Sequence, residues 1–501
     1  MFYQNSLLLK NKSTYKLSLS TFKNGINTEI EENSLPFKYA KVTYNYNFKR
    51  GALQTGHGFD DLYLPESNSE NPVMRKVAVS GEYTKLNRIW LFPYYNHIMN
   101  VRDHMLLLSQ DDKVLFARII AVNPYFYDVS YSGQTFESEP NAVYYNINGE
   151  DVMLVTSETD GMYVFSPTLE EEILDEPKII SICRHYERVF AIEEGKRNKL
   201  IFSANLDPTN WNVDIDEAGY IEIIDDRGRL EKVVSFNDYV YIFKEYGISR
   251  LSAYGDQTEF SLSSVFVTSG KIYANSVCVC GDRIMFLARD GIYSFNGYSA
   301  TKLTLNIESL FEEHNDNCCS AYHNGKYYLG CKLKYDDGEV IGCEGYSDGY
   351  VNNTLIEYDL KTGEINLTRG VDLKWLISIE YDTVNKLAAL FNGEHKKKIG
   401  EMNDSGEVFG TPLKKIWTSS YSNLGYPGKI KKIEKFSLIS KHECKIKIKT
   451  DVESETFEVK GKDSTTTIYP NLKGEMFQFS IESDGSDAHV ACPEISIGIS
   501  Q

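Results

Sequence analysis

Along most of this chain, short apolar runs alternate with polar turns rich in Asp, Asn and Gly, and the runs come in pairs. Two copies of the pattern are clearest, at 235–251 and 279–295. In each, an Asp (Asp238, Asp282) precedes an apolar strand, Tyr239 to Phe243 in the first and Arg283 to Leu287 in the second. In each, a turn then leads through Gly-Ile (Gly247-Ile248, Gly291-Ile292) into another strand. Runs of this kind between turn formers predict antiparallel hairpins. Weaker copies occupy 102–118, 149–165, 186–204, 324–333 continuing through 354–363, and 385–402.

The copies are marked by Asp103, Asp151, Glu187, Asp238, Asp282, Lys326 and Lys386, at a mean spacing of about 47 residues. Repeats of ~40–50 residues are the signature of propeller blades, each a four-stranded sheet. The spacing therefore predicts an all-β chain with a six- or seven-bladed β-propeller over 75–410. Unrelated hairpins in sandwiches are the competing arrangement. Residues 1–74 read as an N-terminal extended arm with its leading strands. Residues 411–501 change character. Ile446 and Ile448 alternate strictly with Lys445, Lys447 and Lys449, and 476–485 and 494–500 alternate too. That pattern predicts a separate C-terminal antiparallel β-sandwich. One short helix is expected, with Thr304 as N-cap, running from Leu305 to Glu313 with Glu308 in its first turn.

Composition supports β structure. The chain has 35 Tyr and 25 Phe but only 18 Ala in 501 residues, which argues against helical bundles and helical solenoids. No apolar run reaches the ~18 residues that a membrane helix needs. The start of the chain does not read as a signal peptide, because its apolar run is short and lysines follow it. The 9 Cys are odd in number and irregular in spacing, as expected of reduced, buried thiols in a protein made in the cytoplasm.

Charge adds detail. The net charge of -18 is uneven: 119–177 holds 12 acidic residues and no Lys or Arg, whereas 413–449 holds 10 Lys and 2 Glu. Each segment can be a solvated face. Two sharper readings remain open. In one, the basic segment of one copy docks on the acidic segment of a neighbour, with Lys429, Lys431, Lys432, Lys445, Lys447 and Lys449 facing Glu170, Glu171 and Glu172. In the other, the acidic stretch lines a channel and repels passing DNA.

Candidate chemistry is sparse. Ser157 to Gly161 and Ala288 to Gly291 resemble the Asp-containing turns of sialidase-type propellers. In such turns Asp bonds the backbone and Gly supplies a positive φ, so the motif is structural. A glycosidase would need an assembled carboxylic acid, Tyr nucleophile and Arg cluster, and no pattern assembles them. Asn212, Asp214, Asp216 and Glu217 alternate like a calcium loop but lack its Gly and its final Glu. His314 and His323 flank Cys318 and Cys319 without zinc-type spacing. Neither a P-loop nor a G-x-S-x-G elbow is present. A non-enzymatic protein without metal or cofactor is expected.

Residues 198–212 (NKLIFSANLDPTNWN), followed by Ala218-Gly219-Tyr220-Ile221, carry a resemblance. An apolar hairpin follows at 240–251, then Asp290-Gly291-Ile292-Tyr293 with Phe295 and Gly297. Together these resemble bacteriophage tail and neck propellers of the packaged-DNA stabilisation and tail-accessory type. Gly25 to Thr28, Asn47 and Gly51 to Leu53 fit the arm of such proteins. Trp417 and the Gly425 to Gly428 turn fit their C-terminal sandwich. Gly56-His57-Gly58-Phe59 departs from the Arg-containing sequence of relatives and leaves the arm's contacts open. The resemblance implies a structural virion protein that forms a ring with itself at a portal–tail junction, seals the capsid exit and supports tail assembly. It would be made in the bacterial host cytoplasm, contact portal, adaptor or tail components, and let DNA pass without sequence-specific binding. A receptor- or glycan-binding propeller is the alternative, with Tyr94, Tyr95, Tyr125, Tyr127, Tyr144 and Tyr145 as candidate sugar-stacking rings.

Overall fold

A computed structural model of the protein describes residues 13–18, 22, 25–31, 35, 39–65, 73–79, 82–96, 100–118, 129–166, 172–214, 217–303, 306–311, 314–334, 351–381 and 383–499. The described residues are nearly all β, with no α-helix among them. The helix expected from Leu305 to Glu313 is instead one 3-10 turn, Glu308–Leu310. Ile307 before it makes no side-chain capping bond, and Phe311 after it is already extended. The N–H of Ser309 is met from outside the turn, by Glu29 Oε1 at 2.8 Å, and not by a cap that would start a longer helix. Thr304, Leu305 and Glu313 lie outside the described residues.

The paired runs fold as antiparallel sheets whose four strands follow one another in sequence. The first is Leu86–Asn96, Val101–Gln110, Lys113–Arg118 and Val129–Thr135. The second is Asn141–Ile147, Glu150–Thr156, Met162–Phe165 and Glu172–Leu174. The third is Ile179–His185, Arg188–Glu193, Lys199–Phe202 and Gly219–Glu222. The fourth is Leu230–Phe236, Tyr239–Lys244, Gly247–Ser252 and Ser261–Val267. The fifth is Cys278–Cys280, Arg283–Ala288, Gly291–Phe295 and Ala300–Lys302. The sixth is Cys319–His323, Lys326–Cys331, Thr354–Asp359 and Ile365–Arg369. Tight turns set the register. Asn237 and Asp238 (φ 44° and 63°) join Phe236 to Tyr239, and Asn148-Gly149 and Asn324-Gly325 do the same job in the second and sixth sheets. Both central residues are left-handed, which is why Asn, Asp and Gly occupy them.

The second strand of each sheet contains an apolar run because that stretch is buried on both sides. In Tyr239–Lys244, Val240 and Ile242 pack with Phe190, Ile192 and Leu200 of the third sheet. Tyr241 and Phe243 point the other way, onto Ile284, Phe286 and Phe295 of the fifth. The relay continues around the molecule. Met285 and Leu287 meet Tyr327 and Leu329, and Tyr328 and Leu355 meet Leu387 and Ala389. Ala388 and Leu390 then pack on Ile89, Leu106 and Leu108 of the first sheet. The last sheet thus closes on the first, and the repeat is a β-propeller.

The closing sheet takes its fourth strand from the other end of the chain. Leu373–Tyr381, Val384–Phe391 and Ile399–Asn403 are joined by Gly58–Asp61, with Met402 opposite Phe59. Phe59 is fully buried and meets Phe391 edge-on at 5.3 Å. A Cβ on Gly58 would lie 2.2 Å from the Glu407 carbonyl oxygen, so only glycine fits beside it.

Strands before this one belong to the C-terminal unit. Ala40–Tyr44 pairs with Lys415–Ser419 in a sheet with Phe477–Ser483, Cys444–Thr450 and Ser454–Val459. Tyr46–Lys49, Ala52–Thr55 and Ser13–Ser18 join a second sheet with His489–Ile499 and Lys431–Ser440. The two sheets share one core, in which Trp417, Phe436, Ile446, Ile448, Phe479 and Ile495 are buried. The N-terminal residues read from sequence as an arm are therefore strands of both units. Phe59→Ala should cost ~3–5 kcal/mol by leaving a cavity at the closing sheet. Urea unfolding of the variant checks this, and a loss under ~1 kcal/mol would mean that the strand does not close the ring.

Candidate functional site

Where the N-terminal strands pass from one unit to the other, a charged group is buried. His57 lies between Gly56, whose Cβ position is filled by the Asn45 carbonyl at 2.3 Å, and Gly58. Nothing larger than glycine on either side would let the backbone bring the imidazole this deep. Its Nε2 donates to Glu357 Oε2 at 2.8 Å, and its Nδ1 to Asp404 Oδ1 at 2.9 Å. Both ring nitrogens donate only in the imidazolium form. Glu357, 2% exposed, also accepts from the Tyr328 hydroxyl at 3.0 Å, from Asn366 Nδ2 at 2.7 Å and from Lys326 Nζ at 3.0 Å. Burial alone would push the His57 imidazole down, but the hydrogen bonds and charges of Asp404 and Glu357 hold it up at about 9. Burial likewise pulls the Glu357 carboxyl up, and His57, Lys326 and Asn366 outweigh it, holding it well below the usual range. Asn45 adds a neutral clasp nearby, donating to the Lys414 carbonyl at 2.7 Å and accepting from the Arg369 N–H at 2.7 Å.

His, Glu, Tyr and Lys at such distances resemble acid–base machinery. Here, however, both imidazole nitrogens and both Glu357 oxygens are engaged inside the protein. The arrangement joins the sixth and closing sheets to the N-terminal strands. The Gly-His-Gly departure in the sequence was its only signal. The partners lie 300 and 347 residues away, beyond any local pattern.

The candidate assembly residues separate into three groups. Lys431 is no surface contact: it is buried, and its ammonium donates to the Tyr426 and Lys429 carbonyls, each at 2.8 Å. Lys415, from the same basic segment, is also internal and bonds the Gly485 carbonyl at 2.7 Å. Lys429, Lys432, Lys445, Lys447 and Lys449 keep solvent contact. Lys445 pairs with Asp484 at 2.8 Å and sits opposite Glu458 and Glu482, so the lysine stripe is partly neutralised. A cavity of about 650 Å³ beside it is lined by Glu458, Glu482, Asp484 and Asp487. Glu172 is exposed on an edge strand of the second sheet, and Glu170 and Glu171 lie outside the described residues. Among the described residues no ion pair joins Glu172 to these lysines within one chain.

Other candidates have structural roles. Asp160 accepts from Ser157 Oγ at 2.6 Å and from the Glu137 N–H at 2.9 Å, tying its turn to the strand before the second sheet. Gly161 is not left-handed as expected. It is there because a Cβ would strike the Leu174 carbonyl oxygen at 1.8 Å. Gly291 does take the expected positive φ, 137°. Asn212 Oδ1 accepts from the Asp214 N–H at 2.9 Å as a local turn, and Asp216 lies outside the described residues. His323 bonds Ser378 at 2.7 Å. Among the described residues, no group of three or more His, Cys, Asp or Glu is placed to hold a metal. Tyr94 and Tyr145 are buried, Tyr144 donates to Asp151, and Tyr125 and Tyr127 lie outside the described residues.

A surface missed in the sequence is an aromatic rim on the third, fourth and fifth sheets. Tyr186, Leu206, Tyr254 and Tyr298 occupy turns after first or third strands, which fall at the same end of antiparallel sheets. Tyr254 and Tyr298 are 72% and 68% exposed. Tyr186 meets Tyr254 edge-on at 5.5 Å, and Arg250 lies over Tyr239 at 4.6 Å and Tyr298 at 5.0 Å. Exposed rings held in fixed positions suit recognition.

No family model matches the chain, and no curated protein matches it. Solved structures with related shape include BBS1N in complex with ARL6DN, at 8% identity and a TM-score of 0.40, covering 68% of this chain and 96% of that one. Raptor from Chaetomium thermophilum shares 8% identity at a TM-score of 0.42, with 69% of this chain matching 28% of Raptor. The AfRom2 CNH domain shares 8% identity at a TM-score of 0.37, covering 65% and 97%. No helix among the described residues is long and apolar enough to cross a membrane.

The clasp makes stability pH-dependent in a defined window. The His57 contribution is fully present below its ordinary pKa of 6.5 and is lost as pH rises through about 9. The Glu357 contribution is present above 4.5 and is lost as pH falls below it. Stability from this pair should therefore plateau between these two values and decline by roughly 3 kcal/mol on the alkaline side. His57→Gln should remove the alkaline decline and cost ~3–5 kcal/mol at pH 6 by leaving Glu357 under-compensated. Denaturant titrations from pH 5 to 10 read both effects. An unchanged alkaline limb in the variant would show that His57 is not the titrating group.

Proposed function

We propose that this chain is a structural virion protein of a phage tail or portal–tail junction, built as a seven-bladed propeller carrying a C-terminal β-sandwich. Copies assemble into a ring that seals the capsid exit and supports tail assembly. The observation that carries the reading is the buried His57 clasp. It couples two β units into one body through strands that belong to both, which suits a part that transmits contacts between neighbours. The resemblance carried by residues 198–297 supplies the biological setting. The faces left to neighbours are the lysine stripe of Lys445, Lys447 and Lys449, the acidic edge around Glu172, and the aromatic rim.

A ring requires head-to-tail contacts between unlike surfaces, and a basic sheet face with an acidic propeller edge provides such a pair. Self-association of this kind weakens with salt. A second reading, a glycan- or receptor-binding propeller, draws on the exposed Tyr254 and Tyr298 rings, whose flat apolar faces suit sugar stacking.

Electron microscopy of purified particles tests the first reading: rings of this subunit at a capsid vertex are the expected result. A monomer that binds glycans and is absent from particles favours the second. Joint reversal of Lys445, Lys447 and Lys449 to Glu should weaken self-association at low salt by at least about tenfold while the melting temperature stays within a few degrees. Light scattering of the full chain reads the assembly state. Unchanged assembly would remove the stripe from the interface.

A further inference from the structure

Sheets arranged radially pack closely near the channel and diverge outward, so the outer part of each face needs other cover. On the third sheet, Lys199 and Ile201 share one face of their strand, and Glu222 and Tyr220 stand opposite them on the outer strand. Ile201 packs against the core shared with the second sheet, around Val152 and Leu154. Trp211, from the loop joining the two outer strands, is half-buried against the same core. Tyr220 lies outside that core and is 51% exposed. Beyond Ile201 and Trp211 a cleft of about 460 Å³ stays open, and its lining is completed by Tyr220, Val213, Glu193, Lys196 and Lys199 of the third sheet and by Glu176-Pro177 of the connection from the second.

The protein itself holds these walls in place. The Ala204 N–H donates to the Asn210 carbonyl at 2.9 Å and the Asn212 N–H to Asn210 Oδ1 at 3.0 Å, which fixes the chain around Trp211. The Lys199 ammonium lies 4.2 Å from the centroid of the Tyr220 ring and pairs with Glu222 at 3.0 Å. Lys196 pairs with Glu193 at 2.9 Å. Two of the three carboxylates are thus matched by the two ammoniums, and Glu176 is exposed to water, so the lining favours no ion of either sign. What the cleft offers is an indole, a phenol ring and the apolar surface of Ile201 and of Val213, which is 49% exposed. Ammonium donors and carboxylate acceptors stand at its edge.

We propose that this cleft, between the outer parts of the second and third sheets, binds a neutral saccharide. A sugar ring has an apolar C–H face and a rim of hydroxyls that both donate and accept. The face suits the Trp211 and Tyr220 rings, and the hydroxyls suit Glu176, Glu193 and Lys196. A wholly apolar ligand would take water from the charged edge without replacing its hydrogen bonds, and an ionic one would meet no buried unmatched counter-charge. The cavity falls within the ~300–1,000 Å³ typical of small-ligand sites. The inference goes beyond both readings above: it requires no ring of subunits, and it places the sugar away from the Tyr254 and Tyr298 rings.

Of the 4 Trp, Trp211 lines the cleft, whereas Trp90 and Trp417 are buried, so indole emission reports on the site. The full chain is titrated with maltose, cellobiose and diacetylchitobiose, each to about 10 mM, which detects Kd values into the millimolar range. A saturable change with at least one of them is the expected result. No change with any of the three, or a response to N-acetylneuraminic acid alone, overturns the proposal. Trp211→Phe keeps a ring in place and should abolish the emission change while calorimetry still detects the sugar; an emission change that persists puts the sugar elsewhere. Tyr220→Ser removes an exposed ring and should weaken binding about fivefold or more, with the melting temperature within a few degrees of wild type. Tyr254→Ser should leave the affinity unchanged. Loss of binding in that variant, with wild-type affinity in Tyr220→Ser, would place the sugar at the rim and overturn the cleft.

Discussion

A ring of sheets that are buried on both faces must be closed where the last sheet meets the first. In this protein the closing strand, Gly58–Asp61, comes from the opposite end of the chain and pairs with Ile399–Asn403. Neither neighbour of that strand is free to move. Tyr46–Lys49 and Ala52–Thr55 before it are held in the C-terminal unit, and Leu62 and Leu64 after it enter the core between the last and first sheets. His57 sits at the crossing and pairs with Glu357 of the sixth sheet and with Asp404 beyond the closing strand's partner. Pairing a buried cation with a buried carboxylate gives little net stability over an apolar pair. Its effect is on specificity, because any other docking of these strands would strand one of the charges.

The two units solve the burial problem differently. Propeller sheets cover each other in sequence, so their second strands carry continuous apolar runs such as Val152 to Val155 and Ile284 to Leu287. The C-terminal sheets each have one wet face, so Cys444–Thr450 alternates Ile with Lys. Charge density follows from the same difference. A wet β face carries lysines at every second position, and its positive segment reflects strand periodicity before it reflects any partner. Lys415 and Lys431 break that rule: both point inward and cap carbonyl groups.

The exposed rings of the rim give the propeller one chemically distinct edge. The rim of Tyr186, Tyr254 and Tyr298 is broad and aromatic and is built from turns. Turn positions tolerate large exposed rings because no neighbouring sheet must pack there.

The sequence by itself determined the local grammar. Asn-Gly and Asn-Asp turns required hairpins, continuous runs required two-sided burial, and seven markers fell in the second strand of a sheet or in the turn just before it, from Asp103 in Val101–Gln110 to Lys386 in Val384–Phe391. The strict alternation of Ile446 and Ile448 with lysines likewise revealed a one-sided sheet. These features depend on near neighbours in the chain. Tertiary structure decided everything that depends on distant ones. It placed residues 40–61 in both units, turned Lys431 inward, reduced the Glu308 helix to a single turn, made Gly161 a matter of clearance and not of φ, and joined His57 to a carboxylate 300 residues away. Periodicity reports which face of a strand is apolar. It carries no information about which charge, carbonyl or ring the fold will set against that face.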